Sequence, residues 1–407
     1  MSQHNNHDLI VFGATSFVGK IMCQYLEDRH GSHGPLSWAI AGRTQSKLDE
    51  VLRATGADVD TIVVDAKSES DMYRLATSAK VIASTVGPYA LYGSELVKAC
   101  AEAGTDCCDL SGEPHWIQRM IDEHGDAAAA SGARIVHSCG FDSIPSDLGV
   151  WFTQREARAE RGEHCSRIAM RVKALKGGPS GGTLASMINV VEDVRADPSL
   201  RKTLANPYAL APADMRKGVR QPNVQTPQSD SASGQWVAPF VMASVNTRIV
   251  LRSHALLGQP WGEDFLYDEA MLMGEGPAGA AKAAALTGGL AGFMAGVAFG
   301  PTRSLLNKFA LPQPGEGPSP EEQEAGFFDL RFHGETASGT KIVTKVTGDR
   351  DPGYGSTAKM LGEAAVLLVD TRGNATPGGF WTPATALGDQ LIDRLTEHAG
   401  LTFEVVG

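Results

Sequence analysis

The sequence predicts an α/β protein: a Rossmann-type, doubly wound parallel sheet followed by a second α+β domain. Three observations carry that prediction. An apolar run, Asp8–Phe12, enters a glycine turn, Gly13-Ala-Thr-Ser-Phe-Val-Gly19, near the start of the chain. Apolar β-rich runs then alternate with amphipathic stretches as far as Gly149, the rhythm of parallel strands joined by crossover helices. Beyond Gly149 the rhythm changes, and 407 residues are too many for one small core.

In order, the expected strands of the first domain (1–150) are Leu9–Phe12, Ser37–Ala41, Thr61–Val64, Val81–Thr85, Asp106–Leu110 and Arg134–His137. Between them the helices are Phe17–His30, Thr44–Ala54, Ser68–Ser78, Ser94–Ala103 and Pro114–Ser131. The strands are continuously apolar, as in a sheet covered on both faces. The second domain (151–350) opens with Arg167–Leu175, which alternates polar and apolar residues like a strand with one wet face. Asn206–Ser233 is rich in Pro, Gln, Ser and Asp and reads as a long loop. Gly326–His333 and Thr340–Val346 read as paired strands of an antiparallel sheet. Ser356–Val369 and Thr385–Ala399 follow as helices.

Composition narrows the function classes. An apolar content of 42% and a charged content of 20% are ordinary for a soluble protein. The net charge of −11, with no basic stripe, argues against nucleic acid as a partner. The six cysteines form no C-x-x-C pair, so no zinc knuckle or disulfide framework is indicated and no metal is expected. The polar N-terminus, Met1–His7, lacks the features of a signal peptide, and the expected location is cytoplasmic. One segment leaves membrane association open. From Ala283 to Gly300 there is no charge, and Gly288, Gly292, Gly296 and Gly300 recur every fourth residue, one stripe on a helix. Three readings stand: a buried or homodimer-interface helix, a peripheral membrane or lipid contact, and a span.

The glycine turn predicts a dinucleotide site. A helix beginning near Phe17 offers unpaired N–H groups and the positive end of its dipole to a diphosphate, which assigns Gly13, Ala14, Thr15, Ser16, Phe17, Val18 and Gly19 to the cofactor. The second strand ends in Ala41-Gly42-Arg43, where an NAD enzyme usually carries a carboxylate. Arg43 instead suits the 2′-phosphate of NADP(H), with an exposed helix-capping arginine as the alternative. Asp65 closes the third strand, either at the adenine edge or as a helix cap. Val86, Gly87 and Pro88 follow the fourth strand at the carboxyl edge of the sheet, where the dinucleotide passes.

These residues, together with Gly140-Phe-Asp-Ser-Ile-Pro-Ser-Asp147, Ser180-Gly-Gly-Thr183 and Asp351-Pro-Gly-Tyr-Gly-Ser-Thr-Ala-Lys-Met360, resemble the saccharopine dehydrogenase-like oxidoreductases. The resemblance spans nearly the whole chain and is strongest to the branch of mycobacterial trans-acting enoyl reductases. It implies an NADP-binding Rossmann domain, a second α+β domain, and a C-terminal segment (351–407) folding back on the first. It further implies NADPH-dependent reduction of an enoyl double bond on a carrier-bound or lipid-like acyl chain in glycolipid assembly. Such a reaction needs a proton donor near the nicotinamide. Tyr89 and Asp142 are the candidates: a tyrosine that otherwise packs against its turn, and an aspartate that otherwise caps the next helix. Tyr92, His137 and Cys139 are further possibilities, His137 and Cys139 reading more simply as buried structural groups, and Tyr354 and Lys359 read as structural or substrate-closing residues. Two alternatives remain: an imine reductase of the saccharopine type, for which no arginine constellation stands out, and an NADP(H)-binding, lipid-associated protein without turnover.

Overall fold

The computed structural model describes residues 7–177, 181–298, 317–373 and 376–407; Ser180 and Gly300, named above, lie outside them. Strands β1 (His7–Phe12), β2 (Trp38–Gly42), β3 (Asp60–Val63), β4 (Ala79–Ser84), β5 (Asp106–Asp109) and β6 (Arg134–Val136) come from the first third of the chain. The middle supplies β7 (Cys165–Lys176), β8 (Gln228–Ser229), β9 (Trp236–Pro239), β10 (Leu266–Gly274), β11 (Phe327–Thr336) and β12 (Lys341–Gly348), and the end supplies β13 (Gly379–Trp381) and β14 (Leu401–Val405).

The first sheet runs β13-β6-β5-β4-β1-β2-β3, every pair parallel. The strand order reverses between β1 and β4, the switch point outside which open α/β sheets bind their ligands. Alternate residues of β1 feed opposite faces: Leu9 and Val11 join one core, Ile10 and Phe12 the other. The first face is covered by α1 (Phe17–His30) and α2 (Gln45–Thr55), through Met22, Leu26, Leu48 and Val51. The second is covered by α3 (Glu69–Ala76), α5 (Ser94–Ala103) and α6 (Pro114–Ser131). Local chemistry starts and stops these helices. The Ser16 hydroxyl accepts the Gly19 N–H at 2.9 Å to cap α1, and Pro114 opens α6 at a position that needs no donor.

The second sheet runs β14-β12-β11-β7-β10-β9-β8. It is mixed rather than antiparallel, because β10 returns parallel to β7, with Leu266 opposite Arg167. The chain between them is a crossover through α8 (Gly181–Ala196), α9 (Leu200–Ala205) and α10 (Ala243–Leu256), which permits a parallel return that a tight hairpin does not. The Pro- and Gln-rich stretch holds a single 3₁₀ turn, Ala213–Met215, and the two residues of β8. Helix α7 (Ile144–Arg161) packs between β6 and the second sheet, so that one core continues from Leu9 and Val136 to Phe328 and Phe332.

The C-terminal segment is shared between the sheets. After the short α12 (Pro320–Glu324) and the β11–β12 hairpin, α13 (Thr357–Asp370) lies on the first sheet with Met360, Leu361, Ala364 and Leu368 fully buried. Arg134 donates to Asp106 and to the Leu368 carbonyl at 2.6 Å, tying the end of α13 to β5 and β6. β13 then extends the first sheet, α14 (Pro383–His398) packs on α7, and β14 leaves to pair with β12.

Helix α11 (Gly276–Ala298) carries the glycine stripe and is long and apolar enough to cross a membrane by length and composition. Within this chain it is not a buried helix. Gly288 and Gly292 are exposed, and a Cβ added at either would meet no atom within 4 Å.

Candidate active site

One cavity of about 1510 Å³ opens at the switch point and gathers most of the residues singled out in the sequence. At its floor the turn after β1 needs glycine. Gly13 has φ +90°, and a Cβ there would fall 2.7 Å from both Thr85 Oγ1 and Val86 Cγ2. Ser16 holds the turn against β4 through a 2.9 Å contact between its hydroxyl and Thr85 Oγ1. Gly13, Thr15, Ser16, Phe17 and Val18 face the cavity, so the first turn of α1 presents its N–H groups to it. Ala14 and Gly19 do not line it; both are buried behind the turn.

Along β2 and β3 the cavity is lined by Arg43, Lys47 and Asp65. Arg43 and Lys47 are exposed, and no carboxylate engages either among the described residues. One Asp65 oxygen accepts the Lys67 N–H at 3.1 Å, an Asx turn that leaves the carboxylate at the rim. On the other side of the switch point lie Val86, Gly87, Pro88, Tyr89 and Tyr92, the last two on the short helix α4 (Tyr89–Tyr92). The Tyr89 phenol is spoken for: it donates to the Ser84 carbonyl at 3.0 Å and accepts the Leu110 N–H at 3.1 Å. Burial, and then the charge of Asp109, hold its pKa well above the ordinary value. Tyr89 therefore fixes the wall and has no free proton for a ligand. Glu113 caps α4, accepting the Tyr89 and Ala90 N–H groups at 2.8 and 3.0 Å.

The loop after β6 separates its candidates. His137 Nδ1 lies 2.7 Å from Asp109 Oδ2 and its ring packs between Trp116 and Phe380, away from the cavity. Cys139 is buried, its thiol against the Val136 carbonyl. Asp142 faces the cavity. It does not cap α7, whose N-cap is Ser143, and its carboxyl has no hydrogen-bond partner among the described residues. Burial, and then the charge of Glu269, raise it to about 7. Glu269 itself is held by the Asn246 amide at 3.0 Å and the Tyr267 hydroxyl at 2.7 Å.

Of the remaining walls, those from α8 and α9 escaped the sequence reading, whereas the glycine-striped segment and Tyr354 are singled out in it. Helix α8 contributes Met187, Ile188, Val190 and Val191, and Leu204 of α9, Val241 and Met242 just before α10, and Leu290 and Met294 of α11 extend an apolar surface. Polar clamps hold α8 down: Ser186 donates to Glu113 at 2.8 Å, and His115 lies 3.0 Å from Asp193. Tyr354 accepts the Gly181 N–H at 2.7 Å while its ring meets Phe17 edge-on, so it ties α8 to α1 across the cavity. Lys359 turns away to Asp349 and does not line the cavity.

The comparisons with known proteins agree with this geometry. Residues 9–136 match the family model for the saccharopine dehydrogenase NADP-binding domain. A Mycobacterium tuberculosis protein named among the trans-acting enoyl reductases is 39% identical over 410 residues, covering 98% of this chain and 97% of its own. The chain belongs to the saccharopine dehydrogenase-like oxidoreductases, in the trans-acting enoyl reductase branch. A trans-acting enoyl reductase of Mycobacterium bovis is 36% identical, with 95% of each chain covered. The fold matches the saccharopine dehydrogenase (L-Glu forming) of Saccharomyces cerevisiae with a TM-score of 0.55 at 13% identity, over 98% of this chain and 100% of that one.

The protein is thus an NADP-dependent oxidoreductase, and the reading without turnover gives way. The residues present fit that cofactor. A glycine turn that a Cβ would fill and an exposed helix N-terminus suit the diphosphate, and two cations, Arg43 and Lys47, that no carboxylate engages among the described residues suit a 2′-phosphate.

Proposed function

We propose that this is a cytoplasmic enzyme reducing the carbon–carbon double bond of an enoyl thioester, on a lipid-like or carrier-bound acyl chain in lipid or glycolipid assembly. The observation that carries the reading is Asp142: an unpartnered carboxyl with a pKa of about 7, in the same cavity as the cofactor turn and the apolar wall of α8 and α11. NADPH, when bound, supplies a hydride to the β carbon. The protonated Asp142 carboxyl donates the proton that the α carbon then needs, and ends as a carboxylate that regains its proton from solvent. Gly13, Thr15, Ser16, Phe17, Val18 and Arg43 would hold the cofactor, and Val86–Pro88 would line its path. The apolar wall seats the acyl chain and excludes water from it. Leu290 and Met294 bring the open apolar face of α11 beside the cavity, which supports entry of a greasy chain along that helix.

NADPH oxidation with a short enoyl thioester tests the reading. Asp142→Asn is expected to lower kcat by about 10²–10⁴, the range for a lost general acid, with NADPH affinity unchanged. Because the acid must be protonated, the wild-type rate should be full below pH about 7 and fall as pH rises through it. An Asn variant with wild-type rate removes Asp142 from the chemistry. No oxidation with any enoyl thioester overturns the reaction itself.

A further inference from the structure

Helix α10 carries two buried arginines that no carboxylate engages among the described residues. Arg252 is structural: its guanidinium is shared between the carbonyls of Leu210 and Phe380, and so staples α10 to β13. Arg248 differs in where it points. It is 8% exposed, and that exposure is to the cavity, which it lines beside Leu204, Val241, Ser244 and Val245. Two of its N–H groups donate to the carbonyls of Ser244 and Leu204. A guanidinium has five donors, so three remain, and Nε is buried without any partner. A buried cation that is neither paired nor fully hydrogen-bonded is costly to hold, and is expected where a ligand supplies the missing anion.

We propose that Arg248 anchors an oxyanion group, a carboxylate or a phosphate, carried by the substrate, at a subsite apart from the cofactor's own phosphate positions. The two backbone carbonyls hold the guanidinium in place, and the N–H groups they leave on Nη1 and Nη2 suit the charge-assisted hydrogen bonds that arginine gives to either anion. The apolar surface of α8 and α11 then seats the chain joined to that anion. The inference rests on the acyl-substrate reading for what the anion is attached to, and on the cavity alone for the anion itself.

Calorimetric titration of the NADP⁺-loaded protein with three saturated, unreactive probes tests it. Butanoyl-pantetheine is uncharged, butanoyl-4′-phosphopantetheine carries a phosphate, and glutaryl-pantetheine carries a carboxylate. One anionic probe should bind at least about tenfold more tightly than the neutral one, the scale of a single charge-assisted pair. The probe that gains names the source of the anion. Arg248→Met should abolish that advantage and leave the neutral probe and NADPH unaffected. Arg248→Lys, which keeps a cation but not the fork, should retain only part of it, and it carries the test if the Met variant fails to bind NADPH. No preference for either anion, or a preference that survives both substitutions, overturns the proposal. An Arg248-dependent preference in a protein that reduces no enoyl thioester leaves the anion site standing and removes only the reaction assigned above.

Discussion

Arg43 and Asp142 stand out in the sequence for different reasons. Arg43 is legible because the end of β2 is a fixed place in a doubly wound sheet, and what stands there faces the ribose. Since it is exposed and unpaired, Arg43→Ala should weaken NADPH by about 1.5 kcal/mol, the lower end for a charged hydrogen bond, with NADH nearly unchanged. Parallel titrations with the two cofactors check this; equal losses would detach Arg43 from the 2′-phosphate. Gly13 makes a sharper case, because its φ of +90° and the 2.7 Å approach of Thr85 leave no room for a methyl group. Gly13→Ala is expected to cost about 1–3 kcal/mol of stability from backbone strain and to abolish NADPH binding, read by thermal melting and titration. Asp142 was ambiguous in sequence because an aspartate before Ser-Ile-Pro looks like a cap; only the three-dimensional loop puts Ser143 at the N-cap position and leaves Asp142 outside it. Arg248 carried no signal at all. A lone arginine on an amphipathic helix reads as a surface residue until the wall it belongs to is assembled.

At the scale of elements, β1 to β6 of the first sheet were legible to within two residues, whereas its seventh strand, β13, and the second sheet were not. β1, β2, β4 and β6 are mostly apolar runs, though the edge strand β3 is part exposed and β5 is Asp-Cys-Cys-Asp, and the helices between them have ends written in Ser16, Pro114 and closing glycines, so local chemistry sufficed. The second sheet depends on pairings between distant segments. Nothing local to Leu266–Gly274 says that it lies parallel to β7, and the clamps on α8 come from Glu113 and His115 in the other half of the chain. Helix α13 was expected as a helix, but its role as a cover for the first sheet shows only in its burial. Leu361, fully buried between α1 and the sheet, is the test: Leu361→Ala should cost about 2–5 kcal/mol, the range for a core leucine, measured by denaturant titration. A loss well under 1 kcal/mol would mean that α13 is an accessory of the sheet.

For the whole molecule, the cavity exists because two sheets share one core and one set of closing strands. Its floor belongs to the first sheet, its apolar wall to helices threaded between strands of the second, and its span is fixed by Tyr354 and the α8 clamps. The enclosing walls therefore report on the entire chain. The order in which the chain leaves the ribosome gives this arrangement a consequence of its own. β6 gains its second neighbour only from β13 (Gly379–Trp381), and β12 only from β14 (Leu401–Val405), so both stay bare on one side until the C-terminal segment has been made. Bare edges recruit other strands, and a stalled or truncated nascent chain would be a sticky one. A chain that stops short of Gly379 therefore leaves β6 and β12, in place of β13 and β14, as outermost strands of the two sheets, and is expected to aggregate more readily than the full-length protein.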